Sequence, residues 1–114
     1  MAENKLADIS TEFAIQILKL SDNIKGHYSL SNQLERSGTS IGANVRESYS
    51  AQSRADFINK LNIALKEADE TQYWLEIFLE SEIITQSEYD SLYTDLKEIC
   101  ALLASSIKTI KINL

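Results

Sequence analysis

Apolar residues recur every three or four positions along four successive stretches of the chain. This spacing places them on one face of an α-helix in each stretch. The first stretch predicts a helix that runs to about Ile24, because Gly26 then supplies a C-terminal break. Its apolar face consists of Leu6, Ile9, Phe13, Ile17, Leu20 and Ile24.

The second predicted helix runs from about Leu30 to Ser50 and carries two neighbouring stripes. Small polar residues and glycines are poor helix formers, and each mid-helix Gly costs about 1 kcal/mol relative to Ala. We therefore expect a tertiary contact along this helix to offset that cost. The apolar stripe is Leu30, Leu34, Gly38, Ile41, Val45 and Ser48, and the polar stripe is Ser37, Ser40, Asn44 and Glu47.

Two further helices begin at capping sequences. Ser53 with Asp56 resembles a capping box, and Thr85 with Glu88 fits one. The third helix has a core face and a second face, and the fourth keeps a heptad-like apolar spacing towards the C-terminus. The second face of the third helix consists of Ile63, Glu67, Glu70, Trp74 and Ile77.

Long helices joined by short connections predict an all-α fold, an antiparallel up-down-up-down four-helix bundle. The chain has no Pro and three Gly, so few turns are obligatory. Its 114 residues fit one hydrophobic core. We predict a single domain over residues 1–114.

The glycines of the second helix have two possible roles. Gly38 and Gly42 are four residues apart on one face, where small side chains let another helix approach closely. The alternative is a backbone held open for a ligand, but glycine-rich phosphate loops lie between a strand and a helix. Because no strand is predicted, we favour close packing.

Polar stripes on the second and third helices predict a hydrogen-bonded network that fixes the helix register. Arg36 or Arg46 would supply the counter-charge. The alternative, a metal site built from carboxylates, uses a Glu-x-x-His pair, but the only histidine, His27, lies in the first loop. We expect no metal and no cofactor. The predicted network consists of Ser37, Ser40, Asn44, Glu47, Glu67 and Glu70.

The third helix carries more apolar residues than one four-helix core requires, because its second face is apolar as well. Ile63, Trp74 and Ile77 are therefore predicted to form an interface between copies of the chain. In the alternative interpretation, Trp74 merely caps one end of the bundle.

Charge is unevenly distributed, with a net value of −6. Residues 67–98 contain ten acidic side chains and only one basic one, Lys97. This acidity argues against a broad nucleic-acid footprint, although repeated copies could still form a local basic ring. Candidate nucleic-acid contacts in such a ring are Lys19, Lys25, Arg36, Arg46 and Arg54.

Other functional classes have little support in the sequence. No His or Lys has a spacing that would activate a Ser, Thr or Tyr, so we expect no enzymatic activity. No apolar run reaches the ~20 residues of a membrane span, and the N-terminus lacks the apolar core of a signal peptide. The lone Cys100 cannot form an internal disulfide, which is consistent with a reducing cytoplasm.

Two motifs resemble the bacterial four-helix-bundle family encoded in intervening sequences of 23S rRNA genes, also called the S23 ribosomal-protein-like family. The resemblance covers the chain from about Phe13 to Lys111. The chain departs from the family where Ser48 and Glu82 stand in place of frequent glycines. Matching residues are Ser37, Ser40, Ile41, Asn44 and Glu47 in one motif, and Phe57, Leu61, Ala64, Glu67, Glu70 and Tyr73 in the other.

The resemblance implies an antiparallel bundle that assembles into a homo-oligomeric ring, a pentamer. Related accessory proteins of diversity-generating retroelements form such barrels and bind nucleic acid and a reverse transcriptase. Two functions follow as hypotheses: a ring-forming scaffold or adaptor, and an accessory protein that binds RNA or DNA or a nucleic-acid-processing protein. A carboxylate-based metalloprotein is the third.

Overall fold

A computed structural model describes residues 2–112 of the chain and the side chains of residues 5–112. It contains four helices, α1 (Ala2–Asp22), α2 (Tyr28–Ser48), α3 (Arg54–Glu80) and α4 (Gln86–Ile112). No strand occurs within this described part of the chain. The all-α prediction is confirmed, with α2 starting two residues earlier than the sequence indicated.

Helices α1 and α2 run antiparallel. Gly38 lies against Ile17, and Gly42 lies against Ser10. Residue numbers therefore rise along α2 as they fall along α1, which is the signature of an antiparallel pair.

The α2–α3 pair is antiparallel as well. Ser37 contacts Thr71 at the middle of α2, whereas Glu47 contacts Lys60 near its end. Helices that follow one another in the chain pack together, and α4 also packs against α1, which closes the bundle. Each connection is five residues long and spans at most about 18 Å, too short to join parallel helices of ~30–40 Å.

One hydrophobic core runs along the bundle, whose extents are 47 × 22 × 20 Å. All four helices contribute to it, as the apolar periodicity predicted. None of the helices in the described residues carries an apolar stretch long enough to cross a bilayer. The largest fully buried side chains include Phe13, Ile17, Leu34, Ile41, Leu61, Leu75, Phe78, Leu96, Ile99 and Leu103.

Both predicted N-terminal caps are present. Thr85 Oγ1 accepts from the Glu88 N–H at 3.1 Å, and Glu88 Oε1 accepts from the Thr85 N–H at 2.8 Å, which completes a capping box. Ser53 Oγ accepts from the Asp56 N–H at 3.0 Å, whereas the Asp56 carboxylate accepts from the Gln52 N–H at 3.4 Å instead of completing the box. Local sequence therefore fixes where α3 and α4 begin.

The turn between α3 and α4 has the hydrogen bonds of a Schellman motif. Ile83 N–H donates to the Phe78 carbonyl at 2.8 Å, and Glu82 N–H donates to the Leu79 carbonyl at 3.0 Å. Glu82 occupies the left-handed position of the motif, with φ of 61°. Glycine is preferred there because it has no Cβ, so Glu82 takes a conformation that side chains rarely adopt.

Candidate functional site

The two flanks of α2 make different kinds of contact. On the α1 flank, a Cβ added to Gly38 would lie 3.0 Å from two carbons of the fully buried Ile17 side chain. A Cβ added to Gly42 would lie 3.3 Å from Ser10 Oγ. These approaches confirm that the glycines serve close helix packing.

The α3 flank of α2, here called the α2–α3 seam, contains a charged cluster. Arg36 Nη1 donates to Glu67 Oε2 at 2.9 Å, and Arg36 Nη2 donates to Glu70 Oε2. The hydrogen bond with Glu70 is the main cause that raises the pKa of Arg36. The Arg36 guanidinium therefore bridges the carboxylates of Glu67 and Glu70, and the charge of both is balanced by a side chain of α2.

Two aromatic rings extend this cluster along α3. Trp74 Nε1 donates to Glu70 Oε2 at 3.2 Å. This bond, followed by the bond from Arg36, lowers the pKa of Glu70. The Tyr73 and Trp74 rings meet edge to face at 5.1 Å, and Tyr73 is 56% exposed. A continuous series of contacts therefore links Arg36 to an aromatic pair of which Tyr73 is exposed and Trp74 is partly buried.

The three predicted interface residues lie on α3 as partly buried side chains. Trp74 and Ile77 pack against the bundle's own core, and Ile63 is also half-buried. Tyr73, which the sequence pattern did not single out for this face, is the most exposed of the group. Its adjacency to Trp74 is the sequence signal that could have identified it.

A buried pair of hydroxyl groups lies deeper in the seam. The Ser37 and Thr71 oxygens are 3.0 Å apart, and both residues are fully buried. Thr71 Oγ1 also bonds the Glu67 carbonyl at 2.7 Å. Thr71 was absent from the predicted network, although its position three residues after Ala68 places a polar group on the apolar face of α3.

The remaining members of the predicted network do not form one continuous system. Glu47 accepts from Lys60 Nζ at 3.1 Å, near the far end of the seam. Ser40 Oγ donates to the Arg36 carbonyl at 2.6 Å, and Asn44 Nδ2 donates to the Ser40 carbonyl at 2.8 Å. Ser40 and Asn44 thus bond their own helix backbone, while Ser37, Glu47, Glu67 and Glu70 reach across the seam.

The five basic candidates are spread along the bundle. Lys19 and Lys25 lie near the α1–α2 connection, whereas Arg46 and Arg54 lie near the α2–α3 connection at the other end. Arg36 lies between these ends and bonds Glu67 and Glu70. A single subunit therefore does not gather all five into one patch.

The described residues contain neither a group of metal ligands nor an activated thiol. No group of three or more His, Cys, Asp or Glu side chains there could hold a metal ion. Cys100 is a half-buried free thiol, and burial, followed by the charge of Asp69, raises its pKa. A raised pKa lowers the population of the reactive thiolate at neutral pH.

Comparisons with known proteins agree with this architecture. The family model described as 23S rRNA-intervening sequence protein matches residues 2–105. A crystal structure of a protein of unknown function from the S23 ribosomal protein family of Bacteroides thetaiotaomicron is 53% identical and has a TM-score of 0.90. The similarity covers 95% of this chain and 99% of that one. Comparison with curated proteins finds no match. The chain therefore belongs to the 23S rRNA-intervening sequence protein family.

Proposed function

We propose that the protein is a cytoplasmic, non-enzymatic scaffold that self-associates into a ring. The contact would use the α3 outer face, defined as Ile63, Tyr73, Trp74 and Ile77. The observation that carries the proposal is the oriented aromatic pair, in which Tyr73 is exposed and Trp74 is held by Glu70.

Pre-organisation favours binding through this face. Immobilising a flexible side chain at an interface costs about 0.5–1.5 kcal/mol. The hydrogen bonds that Trp74 and Arg36 donate to the Glu70 carboxylate already restrict these side chains in the free subunit. Trp, Tyr and Arg are also the residue types most enriched at binding hot spots.

A closed ring requires two different patches on each subunit, because each copy contacts the next through a head-to-tail interface. Ile15 and Leu18 on α1 are 40% and 43% exposed and supply a second apolar patch. No Cα atom of α1 lies within 8 Å of one of α3 in the described structure, so the two helices are diagonal and the two patches belong to different corners of the bundle. Because the two patches are separate, one subunit can contact a second copy through the α3 outer face and a third copy through the α1 patch. The family resemblance favours five subunits.

Sedimentation velocity at micromolar concentration tests the ring. The expected mass is about five times that of the 12.9 kDa chain. Tyr73→Glu should reduce it to the monomer, because a charge would be buried in the interface. Tyr28→Glu, at a residue that is 70% exposed and lies outside both patches, is the matched control and should leave the ring intact. A monomeric wild-type protein would overturn the proposal.

A mixing experiment tests the pairing of the two patches. Ile15→Glu should also give monomers, since it damages the α1 patch. An Ile15→Glu subunit keeps a sound α3 outer face, and a Tyr73→Glu subunit keeps a sound α1 patch. Mixing the two variants should therefore produce heterodimers but no ring. Failure to form heterodimers would argue against a contact between these patches.

The alternative of nucleic-acid binding depends on assembly, because one subunit spreads its basic side chains along the bundle. A ring would repeat Arg46 and Arg54 around one end. Salt-dependent binding of structured RNA by the assembled protein, lost on Arg46→Ala, would favour that alternative.

A further inference from the structure

An apolar groove of about 430 Å³ lies between α3 and α4, near the end of the bundle where α4 finishes. Ile112, which is 72% exposed, continues its apolar surface to the end of α4. The groove, here called the α3–α4 groove, is open to solvent and lies on the flank of α3 that faces away from α2. Its other uncharged lining residues are the half-buried Leu65, the buried Ile107, the exposed Ala104 and the polar Asn62.

The charge around the α3–α4 groove is opposite in sign to that of the whole chain. The chain has 17 acidic and 11 basic side chains, yet the charged side chains that line the groove within the described residues are those of Lys108 and Lys111. Neither forms an ion pair with another described residue. Asp69 lies one turn beyond Leu65, near Cys100, whose pKa is raised by burial and then by the Asp69 charge. An apolar surface bordered by two ammonium groups suits an apolar partner that carries carboxylates.

We propose that the α3–α4 groove binds an acidic amphipathic helix of a partner protein. Two packed helices leave a groove between them, and a third helix can lay its apolar face into it. From Ala104 to Ile112 the groove follows eight residues of α4, a length of about 12 Å. Two turns of a partner helix have nearly this length and place apolar anchors at positions i, i+3 or i+4, and i+7. Carboxylates beside those anchors would pair with Lys108 and Lys111.

The shape of the groove favours a helix over two other anionic partners. A bilayer of anionic lipids would attract the lysines, but its flat surface does not reach Ile107, which is only 8% exposed between the helices. A nucleic acid would pair its phosphates with the lysines and leave the apolar lining uncovered, whereas nucleic-acid interfaces are more polar and much more basic. A helix with projecting apolar side chains and flanking carboxylates matches both parts of the surface.

The α3–α4 groove is separate from the surfaces proposed for self-association. Trp74 of the α3 outer face bonds Glu70, which bonds Arg36 of α2, so that face follows the other flank of α3. The α1 patch belongs to a different helix. Because the groove shares no residue with either patch, binding of an acidic helix extends the scaffold proposal by one class of partner and does not require the ring.

Fluorescence anisotropy of labelled peptides with the full chain tests the proposal. The probe, here called the Glu peptide, is a designed helix of about 15 residues, with Leu at i, i+3 and i+7, Glu beside each Leu, and Ala elsewhere. It should bind at micromolar concentration. A Lys peptide with Lys in place of each Glu, and a scrambled peptide whose Leu residues do not share one face, should bind at least tenfold more weakly. No binding of the Glu peptide at submillimolar concentration, or equal binding of either control, would overturn the proposal.

A steric variant locates the binding site. Ala104→Trp places a large side chain in the groove at an exposed position, so the protein should fold normally and bind the Glu peptide at least tenfold more weakly. Thr109→Trp, at an exposed position of α4 that does not line the groove, should bind as the wild type does. Unchanged affinity in Ala104→Trp would refute the site. Its sedimentation mass should equal that of the wild type, and a lower mass would assign the groove to a contact between copies and overturn the proposal.

A charge reversal tests the role of the two lysines. In the double variant Lys108→Glu/Lys111→Glu, the Lys peptide should bind more tightly than the Glu peptide, which reverses the preference of the wild type. Lys19→Glu/Lys25→Glu, at exposed positions outside the groove, should keep the wild-type preference. An unchanged preference in the first variant would refute the pairing. Binding of the wild type to phosphatidylglycerol vesicles, lost in that variant, would assign the lysines to a lipid surface and overturn the proposal.

Discussion

The two flanks of α2 stabilise a helix of poor helix formers by different contacts. Towards α1, Gly38 and Gly42 let the helix axes approach until Ile17 and Ser10 fill the space above the glycines. Towards α3, Ser37 and Arg36 form hydrogen bonds across the seam. A helix built from poor helix formers is thus stabilised by close packing on one side and by paired polar groups on the other.

The flanks also differ in how completely their polar groups are satisfied. In the α2–α3 seam, the buried hydroxyls of Ser37 and Thr71 bond each other. In the α1–α2 contact, the hydroxyls of Ser21 and Ser31 remain without partners. The buried hydroxyls of the seam therefore satisfy each other, whereas two buried hydroxyls on the opposite flank make no hydrogen bond in the described structure.

The largest effect is expected from Gly38→Val on the close-packed flank. A Cβ would already meet Ile17 carbons at 3.0 Å, and the branched methyl groups would force the helices apart. Overpacking of this kind should cost about 3 kcal/mol of unfolding free energy. Urea unfolding at a fixed protein concentration measures the loss.

Gly42→Ala is the control for that substitution. Its Cβ would meet Ser10 Oγ at 3.3 Å and the Ser10 backbone at 3.4 Å, so this neighbour needs to shift by only a few tenths of an ångström. Greater helix propensity should then leave stability equal or higher by about 0.5–1 kcal/mol. A Gly38→Val protein as stable as the wild type would contradict the close-packing account.

A smaller loss is expected from Thr71→Val in the α2–α3 seam. The substitution keeps the shape but removes the hydroxyl that bonds Ser37, which should cost about 1 kcal/mol. A double-mutant cycle with Ser37→Ala measures the coupling. Thr94→Val is the control, because the exposed Thr94 hydroxyl bonds only the Asp90 carbonyl of its own helix. Zero coupling between the seam positions would show that the pair is not a stabilising contact.

The charged cluster should make stability depend on pH. The pKa of Glu70 is lowered in the folded state, so its contribution is present above the unfolded value near 4.5 and is lost as the pH falls through the folded value. Because Glu70 is 34% exposed, solvent screening limits the effect to about 0.5 kcal/mol.

Urea midpoints between neutral pH and pH 3 provide the measurement. Glu70→Gln should flatten the acid side of the profile, and Trp74→Phe should do so in part because it removes the largest cause of the pKa shift. An acid limb identical in wild type and Glu70→Gln would count against the assignment.

The smallest effect is expected from Asn44→Ala. Asn44 bonds the carbonyl of Ser40 on its own helix and has no hydrogen bond across the seam. Its removal should change the unfolding free energy by no more than about 0.5 kcal/mol. A loss comparable to that of Thr71→Val would mean that Asn44 belongs to the contact between the helices after all.

The sequence alone determined the helices and the faces they bury. Thr85 and Glu88 mark the start of α4 because a capping box involves residues three apart. Gly26, with φ of 80°, lies in the connection after α1, although the helix ends at Asp22 and not at the predicted Ile24. Apolar periodicity likewise assigned the core, since burial is the main force acting on those side chains.

Only the tertiary structure decided which polar groups meet. Ser37 and Ser40 share a stripe, yet Ser37 pairs with Thr71 on α3 while Ser40 bonds the Arg36 carbonyl. A serine in a helix can always turn back to its own backbone, so its choice depends on how closely the next helix approaches. That distance is set by Gly38 and Gly42 on one flank and by the packed core as a whole, which no local pattern of residues specifies.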